Sequence, residues 1–256
     1  MSRSEQPQLV APGGDAYEAL GSLYDVWCES VVEDLDFYVQ ACAGIEGPIV
    51  ELGVGSGRVA VPLALAGHLV RGLDASPAML ALARARAEDA GVSGRIELSL
   101  GDLTDPPVAL GPAARVLVPF RPYLHLVGDG ERLRALRGAR ELLAPGGRLV
   151  FDVFEPTAAD IRKTHDRWIE REAGIWERAR WNAAERTIDL AVRARGRIVE
   201  MRLEWRSSDE WRALCAAAGL EVVAAYRGFE GAPLDGLPGD HVFVCERAGE
   251  AESPAI

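Results

Sequence analysis

At 256 residues, with 48% apolar and 26% charged side chains, the chain is long enough to bury a full core without disulfide or metal staples, and its composition is that of a soluble globule. Its 39 acidic and 28 basic residues leave a net charge of −11, which argues against a nucleic-acid binder because phosphate contacts need clustered cations. Cys28, Cys42, Cys215 and Cys245 form no C-x-x-C pair, so they read as buried free thiols of a reducing cytoplasm and not as a zinc or disulfide framework. The N-terminus lacks a basic start followed by an apolar stretch, and no run of about 18 apolar residues occurs, so neither a signal peptide nor a membrane span is expected.

Residues 1–14 are polar with Pro and Gly and read as a loose tail. Over 15–43 the apolar positions Tyr17, Leu20, Leu23, Tyr24, Trp27, Val31, Leu35 and Tyr38 recur at helical spacing and predict two short helices, broken near Ser30. The run 48–52 is short, apolar and stopped by glycines, the pattern of a buried strand. A helix over 59–66 and a strand over 68–74 follow; Ser76 then caps a helix that has Pro77 at its first position and runs to about residue 90. Strands are predicted at 96–100, 115–119 and 148–154, with a helix over 130–143 before the last of them. This rhythm builds a parallel sheet from right-handed βαβ units.

After Pro156 the rhythm breaks. Alternating polarity over 175–181, 187–194 and 197–205, with Asn182 and Gly196 in the gaps, predicts an antiparallel cap laid over the sheet's edge. A helix from Ser208 to Gly219 and strands at 220–226 and 241–246, joined by the Gly/Pro-rich loop 228–239, complete the chain. The expected fold is α/β: a seven-stranded, mostly parallel sheet with helices on both faces. The expected division is a tail and helical lid (1–43), a core (44–156 and 207–248), a cap inserted after the fifth strand (157–206) and a tail (249–256).

The chemistry concentrates in Glu51-Leu52-Gly53-Val54-Gly55-Ser56-Gly57-Arg58, between a predicted strand and a predicted helix. Glycines there let the backbone turn sharply and approach a ligand with no Cβ in the way, and the helix start behind them offers unpaired N–H groups. Asp74 ends the next strand, 21 positions after Gly53, where a carboxylate can accept both hydroxyls of an adenosine ribose. Dinucleotide sites use G-x-G-x-x-G. Here Arg58 stands where the third glycine would fall, and Glu51 lies two residues before the first.

That version resembles motif I of the class I S-adenosylmethionine-dependent methyltransferases. Asp74-Ala75-Ser76-Pro77-Ala78-Met79-Leu80 is similar to the family's D-x-S-x-x-M-L segment, Gly101-Asp102-Leu103 to its adenine-contacting turn, and Leu143-Ala144-Pro145-Gly146-Gly147-Arg148-Leu149 to the stretch leading into its fifth strand. Tyr24-Asp25 is similar to an element of its lid. The resemblance covers about residues 17–155 and implies a Rossmann-like fold and S-adenosylmethionine as cofactor. By position it implies that Gly53, Gly55 and Gly57 pass beside the methionine half, with Glu51 near its ammonium group. Asp74 would hold the ribose and Met79 lie along the adenine. Asp102 would take the exocyclic amine, the Leu103 N–H a ring nitrogen, and Val118 or Pro119 offer a carbonyl to the ammonium.

Methyl transfer from a sulfonium is an in-line displacement on an activated carbon, so the protein mainly aligns the acceptor and strips its water. A base is needed only where the acceptor loses a proton. His125 is the candidate base, Arg121 a candidate for an anionic substrate group, and Tyr24 a candidate to cage the sulfonium by its π face. Each has a plainer alternative, in packing or in solvated charge. No His/Cys/Asp cluster has metal spacing, so a metal-independent enzyme is expected. The expected reaction is methyl transfer to O or N of a small molecule by a cytoplasmic monomer or homodimer, with no nucleic-acid or membrane partner. No Asn/Asp-Pro-Pro-Tyr segment follows the fourth strand, which weakens a nucleobase reading. The rivals are a fold-mate that binds the cofactor without transferring methyl and, less favoured, a nicotinamide-dependent oxidoreductase.

Overall fold

The computed structural model describes residues 8–10, 15–21, 23–28 and 30–249. They form β1 (Gln8–Val10), α1 (Asp15–Leu20), α2 (Leu23–Trp27), α3 (Leu35–Ala41), β2 (Ile49–Leu52), α4 (Ala60–Leu65), β3 (Val70–Asp74), α5 (Pro77–Asp89), β4 (Ile96–Leu100), β5 (Ala113–Val118), α6 (Gly128–Glu141), β6 (Leu143–Glu155), α7 (Ala158–Thr164), β7 (Trp168–Glu172), β8 (Ile175–Asn182), β9 (Thr187–Ala194), β10 (Arg197–Glu204), α8 (Ser208–Ala217), β11 (Leu220–Arg227), β12 (Ala232–Pro233) and β13 (Gly239–Arg247). A 3-10 turn at Pro122–His125 follows β5. No described helix is long and apolar enough to cross a membrane.

The larger sheet runs β12-β11-β13-β6-β5-β2-β3-β4. It is parallel from β6 to β4 and antiparallel at β13, β11 and β12. The seven expected strands are present, and the two-residue β12 adds an eighth by pairing with Tyr226 and Arg227 inside a loop expected to be irregular. All four residues of β2 are buried, as a strand flanked on both sides and covered on both faces requires. Strand order reverses between β2 and β5, the switch point at which α/β sheets open a crevice at their carboxyl ends.

Local signals set the helix starts. Ser76 is extended and its hydroxyl accepts the Met79 N–H at 3.2 Å, with Pro77 beginning α5; Met79, Leu80, Ala83 and Ala87 then bury one face. Thr157–Asp160 and Ser207–Glu210 form capping boxes at α7 and α8. Arg132 of α6 is fully buried, 3.1 Å from Glu204 at the end of β10 and over the Trp211 ring of α8, so one guanidinium ties the core to the cap.

The cap is a five-stranded sheet in the order β1-β10-β9-β8-β7, antiparallel except where β1 joins β10 in parallel. Two of its strands depart from the sequence reading. β1 lies in what was expected to be a loose tail, whose other residues, 1–7 and 11–14, fall outside the described ones. β7 was unforeseen because Trp168-Ile169-Glu170-Arg171-Glu172 does not alternate in polarity. The N-terminal lid holds three short helices where two were expected, since the chain turns at Gly21 as well as near Ser30. The apolar alternates Ile188, Leu190, Val192, Val199 and Met201 bury one face of the cap in the same cluster as Ala16, Leu20 and Tyr24 of the lid.

Candidate active site

The turn after β2 takes left-handed backbone at Gly53 (φ 76°), Gly55 (φ 54°) and Gly57 (φ 79°), which side chains seldom adopt. Gly53 and Val54 donate to the Leu73 carbonyl at 2.8 and 3.0 Å, drawing the turn against the end of β3. The Asp74 carboxylate completes the clasp: Oδ2 accepts the Gly55 N–H and Oδ1 the Ser76 N–H, each at 2.8 Å. Burial pushes the Asp74 pKa up, while the N–H groups of Ser76, Gly55 and Ala75 pull it down. Asp74 thus braces the glycine turn and keeps lone pairs for a ligand.

Above the turn lies a cavity of about 690 Å³, lined from the core by Glu51, Gly53, Gly55, Asp74, Met79, Asp102 and Leu103, from the lid by Ala16, Tyr17 and Tyr24, and from beyond β5 by Pro119, Phe120, Pro122 and His125. A Cβ on Gly53 would stand 3.1 Å from Pro122 Cγ, so the turn has no room for a side chain. Glu51 is buried at 1% exposure, with Oε2 lacking any hydrogen-bond partner. Burial drives its pKa well above the ordinary carboxylate range. A buried, unpartnered carboxylate oxygen at the cavity wall fits a cationic ligand group.

Three residues expected at the site stand elsewhere. Gly57 faces α5, where a Cβ would lie 3.3 Å from Ala83 Cβ, so it serves helix packing and not the cavity. Val118 has its side chain sealed inside the sheet opposite Phe151, and of the two residues expected to offer a carbonyl it is Pro119 that lines the cavity. Arg121 turns away to pair with Asp240 and lie over the Phe154 ring at 5.1 Å, which removes it as a substrate anchor. His125 does reach the cavity, half-buried, with Nε2 2.8 Å from the Tyr17 hydroxyl and its pKa pulled down to about 4 by desolvation. It is uncharged at neutral pH. Among the described residues no cluster of His, Cys, Asp or Glu is arranged to hold a metal ion, and all four cysteines are free and buried.

Several residues that shape the site carried no local signal. Arg58 reaches from the turn to the lid, where it makes two bonds of 2.6 Å to Asp34 and one of 3.2 Å to the Val31 carbonyl, and it covers the Phe120 ring. Glu18 of α1 accepts from Ser76 Oγ and the Ala78 N–H at 2.9 Å each, latching the lid to α5. Phe120 and Arg121 both take positive φ, and the turn they make is held by Asp152, whose Oδ1 accepts the Phe120 N–H at 2.7 Å and the Tyr38 hydroxyl at 2.6 Å. Burial pushes Asp152 up to about 6. The signal that could have found Arg58 and Asp152 is a charged residue inside a core-facing pattern.

A parallel sheet whose first core strand runs into a glycine turn, with an acid closing the next strand beside a cavity at the sheet's carboxyl end, is the arrangement that holds an adenosyl cofactor. Residues 49–147 match the family model described as a methyltransferase domain, and this match together with the solved neighbours supports a class I S-adenosylmethionine-dependent methyltransferase. The chain is 28% identical to the CcbJ methyltransferase from Streptomyces caelestis, covering 93% of this chain and 92% of that one with a TM-score of 0.72. The glycopeptide N-methyltransferase MtfA, solved with S-adenosylmethionine, shares the fold at 17% identity and a TM-score of 0.58, over 96% of this chain and 99% of that one. A release factor glutamine methyltransferase of Cereibacter sphaeroides is 35% identical over 130 residues, 41% of this chain and 46% of that protein. The chain thus spans less than half the length of that curated relative.

Removing the Asp74 carboxylate strips the Gly55 and Ser76 N–H groups of their acceptor and, where Asp74 is expected to hold the ribose, a ribose of its own. A hydrogen bond to a charged group is worth about 1.5–3 kcal/mol. Asp74→Ala is therefore expected to weaken S-adenosylmethionine binding by about 10- to 100-fold in calorimetry. Unchanged affinity would remove Asp74 from the site.

Proposed function

We propose that this chain transfers a methyl group to O or N of a small molecule held between the glycine turn, the lid and the cap. The observation that carries the reading is the cavity of about 690 Å³, in which Tyr17 and Tyr24 of the lid and Arg178, Ala191 and Met201 of the cap face the cofactor cradle and leave room for a compact second ligand. When bound, S-adenosylmethionine supplies a methyl carbon already activated by a sulfonium. Glu51 receives the ammonium group and Asp74 the ribose hydroxyls. Asp102 and the Leu103 N–H read the adenine edge, and Met79 lies along its face. Tyr24 stands over the glycine turn, its Cε1 and hydroxyl each 3.9 Å from where a Gly55 Cβ would be, and presents its ring toward positive charge.

The rest of the rate comes from alignment and water exclusion, for which well-oriented reactants gain about 7–11 kcal/mol. On this reading residues 1–43 are the tail and helical lid, 44–156 and 207–248 the cradle, and 157–206 the cap over the acceptor, with Gln8–Val10 added at the cap's edge. A protein acceptor, as named for the release factor relative, is the second reading. Against it stands Val118-Pro119-Phe120-Arg121 at the end of β5, where the Asn/Asp-Pro-Pro-Tyr element of amino-group methylases would lie.

The test is a thermal scan followed by turnover. S-adenosylmethionine is expected to raise the melting temperature where NADH does not, and S-adenosylhomocysteine release is expected with members of a panel of phenols, amines and acids. Protection by NADH instead, or turnover confined to a glutamine-bearing protein, would overturn the reading.

A further inference from the structure

Inside the cavity a polar contact joins α1 to the segment that follows β5. The Tyr17 hydroxyl of α1 lies 2.8 Å from His125 Nε2, with the rings edge-on at 5.3 Å between centroids, and both side chains line the cavity. Burial lowers the imidazole pKa and raises that of the phenol, so both are neutral near pH 7. Between a neutral phenol and a neutral imidazole the phenol is the stronger acid and the ring nitrogen the stronger base, so the Tyr17 O–H donates to Nε2. With its proton committed, the Tyr17 oxygen has only lone pairs to offer the cavity. Its charged neighbour Asp74 is engaged by the Gly55 and Ser76 N–H groups, and its other neighbours, Tyr24 and Cys28, are held neutral by burial.

We propose that Tyr17 and His125 form a proton relay for the methyl acceptor: Tyr17 accepts the acceptor's N–H or O–H and passes its own proton to His125 Nε2. The inference rests on the methyltransferase reading. As the acceptor's lone pair forms the new N–C or O–C bond, the S–C bonding pair stays with sulfur. The acceptor's proton moves to the Tyr17 oxygen, and the Tyr17 proton moves to Nε2. The positive charge that began on sulfur ends on the imidazolium, which then returns its proton to solvent. Tyr17 is on this view a catalytic residue, and His125 acts through it.

Two measurements test the relay. In the ligand-free protein, nitrogen NMR of the His125 ring at pH 7 is expected to show a neutral ring protonated at Nδ1, with an Nε2 resonance that moves in Tyr17→Phe. A ring protonated at Nε2, or charged, overturns the relay. The second measurement compares two reactions in one enzyme. Methyl iodide and S-adenosylhomocysteine yield S-adenosylmethionine with no proton to move, whereas methylamine, phenol and imidazole each carry an X–H bond.

Methylation of at least one of those three probes is expected. In both Tyr17→Phe and His125→Gln its rate should fall at least 30-fold relative to the methyl iodide rate. Gln keeps a hydrogen-bond acceptor beside Tyr17 but cannot take its proton, so full activity in His125→Gln would reduce the contact to packing and overturn the relay. An equal loss on both reactions, or methylation of none of the probes by an enzyme active with methyl iodide, overturns it too. Inactivity of the wild type with methyl iodide would instead sink the methyltransferase reading, and the relay with it.

Discussion

Glu51→Gln is expected to make the ligand-free protein more stable and the cofactor complex weaker. Glu51 is buried at 1% exposure with one oxygen unpartnered, and burial raises its pKa well above the ordinary value. In the unfolded chain the same carboxyl ionises at about pH 4.3. The folded state therefore holds more protons than the unfolded one above that pH. Stability from this group is full below the unfolded pKa and falls as pH rises toward the folded one. Gln carries no charge to bury, so the gain over wild type is expected to be absent at pH 4 and to reach about 1 kcal/mol or more by pH 8.

Binding shows the converse. As the proposed partner of the S-adenosylmethionine ammonium group, which favours the ionised carboxyl, Glu51 is expected to have its pKa drawn back down on binding and to expel a proton. Calorimetry in two buffers of different ionisation enthalpy is expected to register that proton for wild type and none for Glu51→Gln. The variant's affinity is expected to be lower by about 10- to 100-fold, the worth of one charge-assisted hydrogen bond. A variant that binds as tightly as wild type, or is less stable than wild type at pH 8, would dismiss Glu51 as the ammonium's partner.

What could be read from the sequence divides by range. Gly53, Gly55, Asp74 and the Ser76 cap were legible because each is fixed by neighbours within about a turn: positive φ demands glycine, and a helix start demands an acceptor. The core strands were legible because burial on both faces leaves continuous apolar runs. Arg121 was misplaced because its partner, Asp240, lies 119 residues away on an antiparallel strand, and no local pattern encodes that pairing. Of the alternatives Val118 and Pro119, Pro119 lines the cavity, because one step along a strand is the difference between the sheet interior and its end. β7 was missed because it is an edge strand held by pairing with β8, with no buried face to impose alternation on its sequence. The cap's approach to the lid, sealed by Trp27 Nε1 donating to Glu177 Oε2 at 3.1 Å, likewise exists only in three dimensions.

The Arg58–Asp34 pair carries the largest stability effect expected here. The side chains are 13% and 1% exposed, joined by two bonds of 2.6 Å, and Arg58 also bonds the Val31 carbonyl. Burial works against the guanidinium charge, yet the Asp34 bonds outweigh it and hold the arginine above its ordinary pKa. Arg58→Ala leaves the Asp34 carboxylate buried without its cation. Breaking a buried pair from one side costs about 3–5 kcal/mol, and in a domain of this size each kcal/mol moves Tm by about 2–4 °C. A fall of roughly 6–20 °C is therefore expected in a thermal scan.

The asymmetry of that cost is the sharper test. Replacing both partners by apolar residues of similar volume, Arg58→Met with Asp34→Leu, removes the stranded charge and is expected to recover most of the loss. Because Arg58 follows the glycine turn and Asp34 sits just before α3, the same single variant is expected to loosen the lid. Cofactor affinity should drop with it, and the apolar pair should restore stability ahead of affinity, since only the arginine also covers Phe120 at the cavity wall. A single variant within 1 kcal/mol of wild type, or a double variant no better than the single, would mean that solvent reaches the pair and that the lid is held by packing alone.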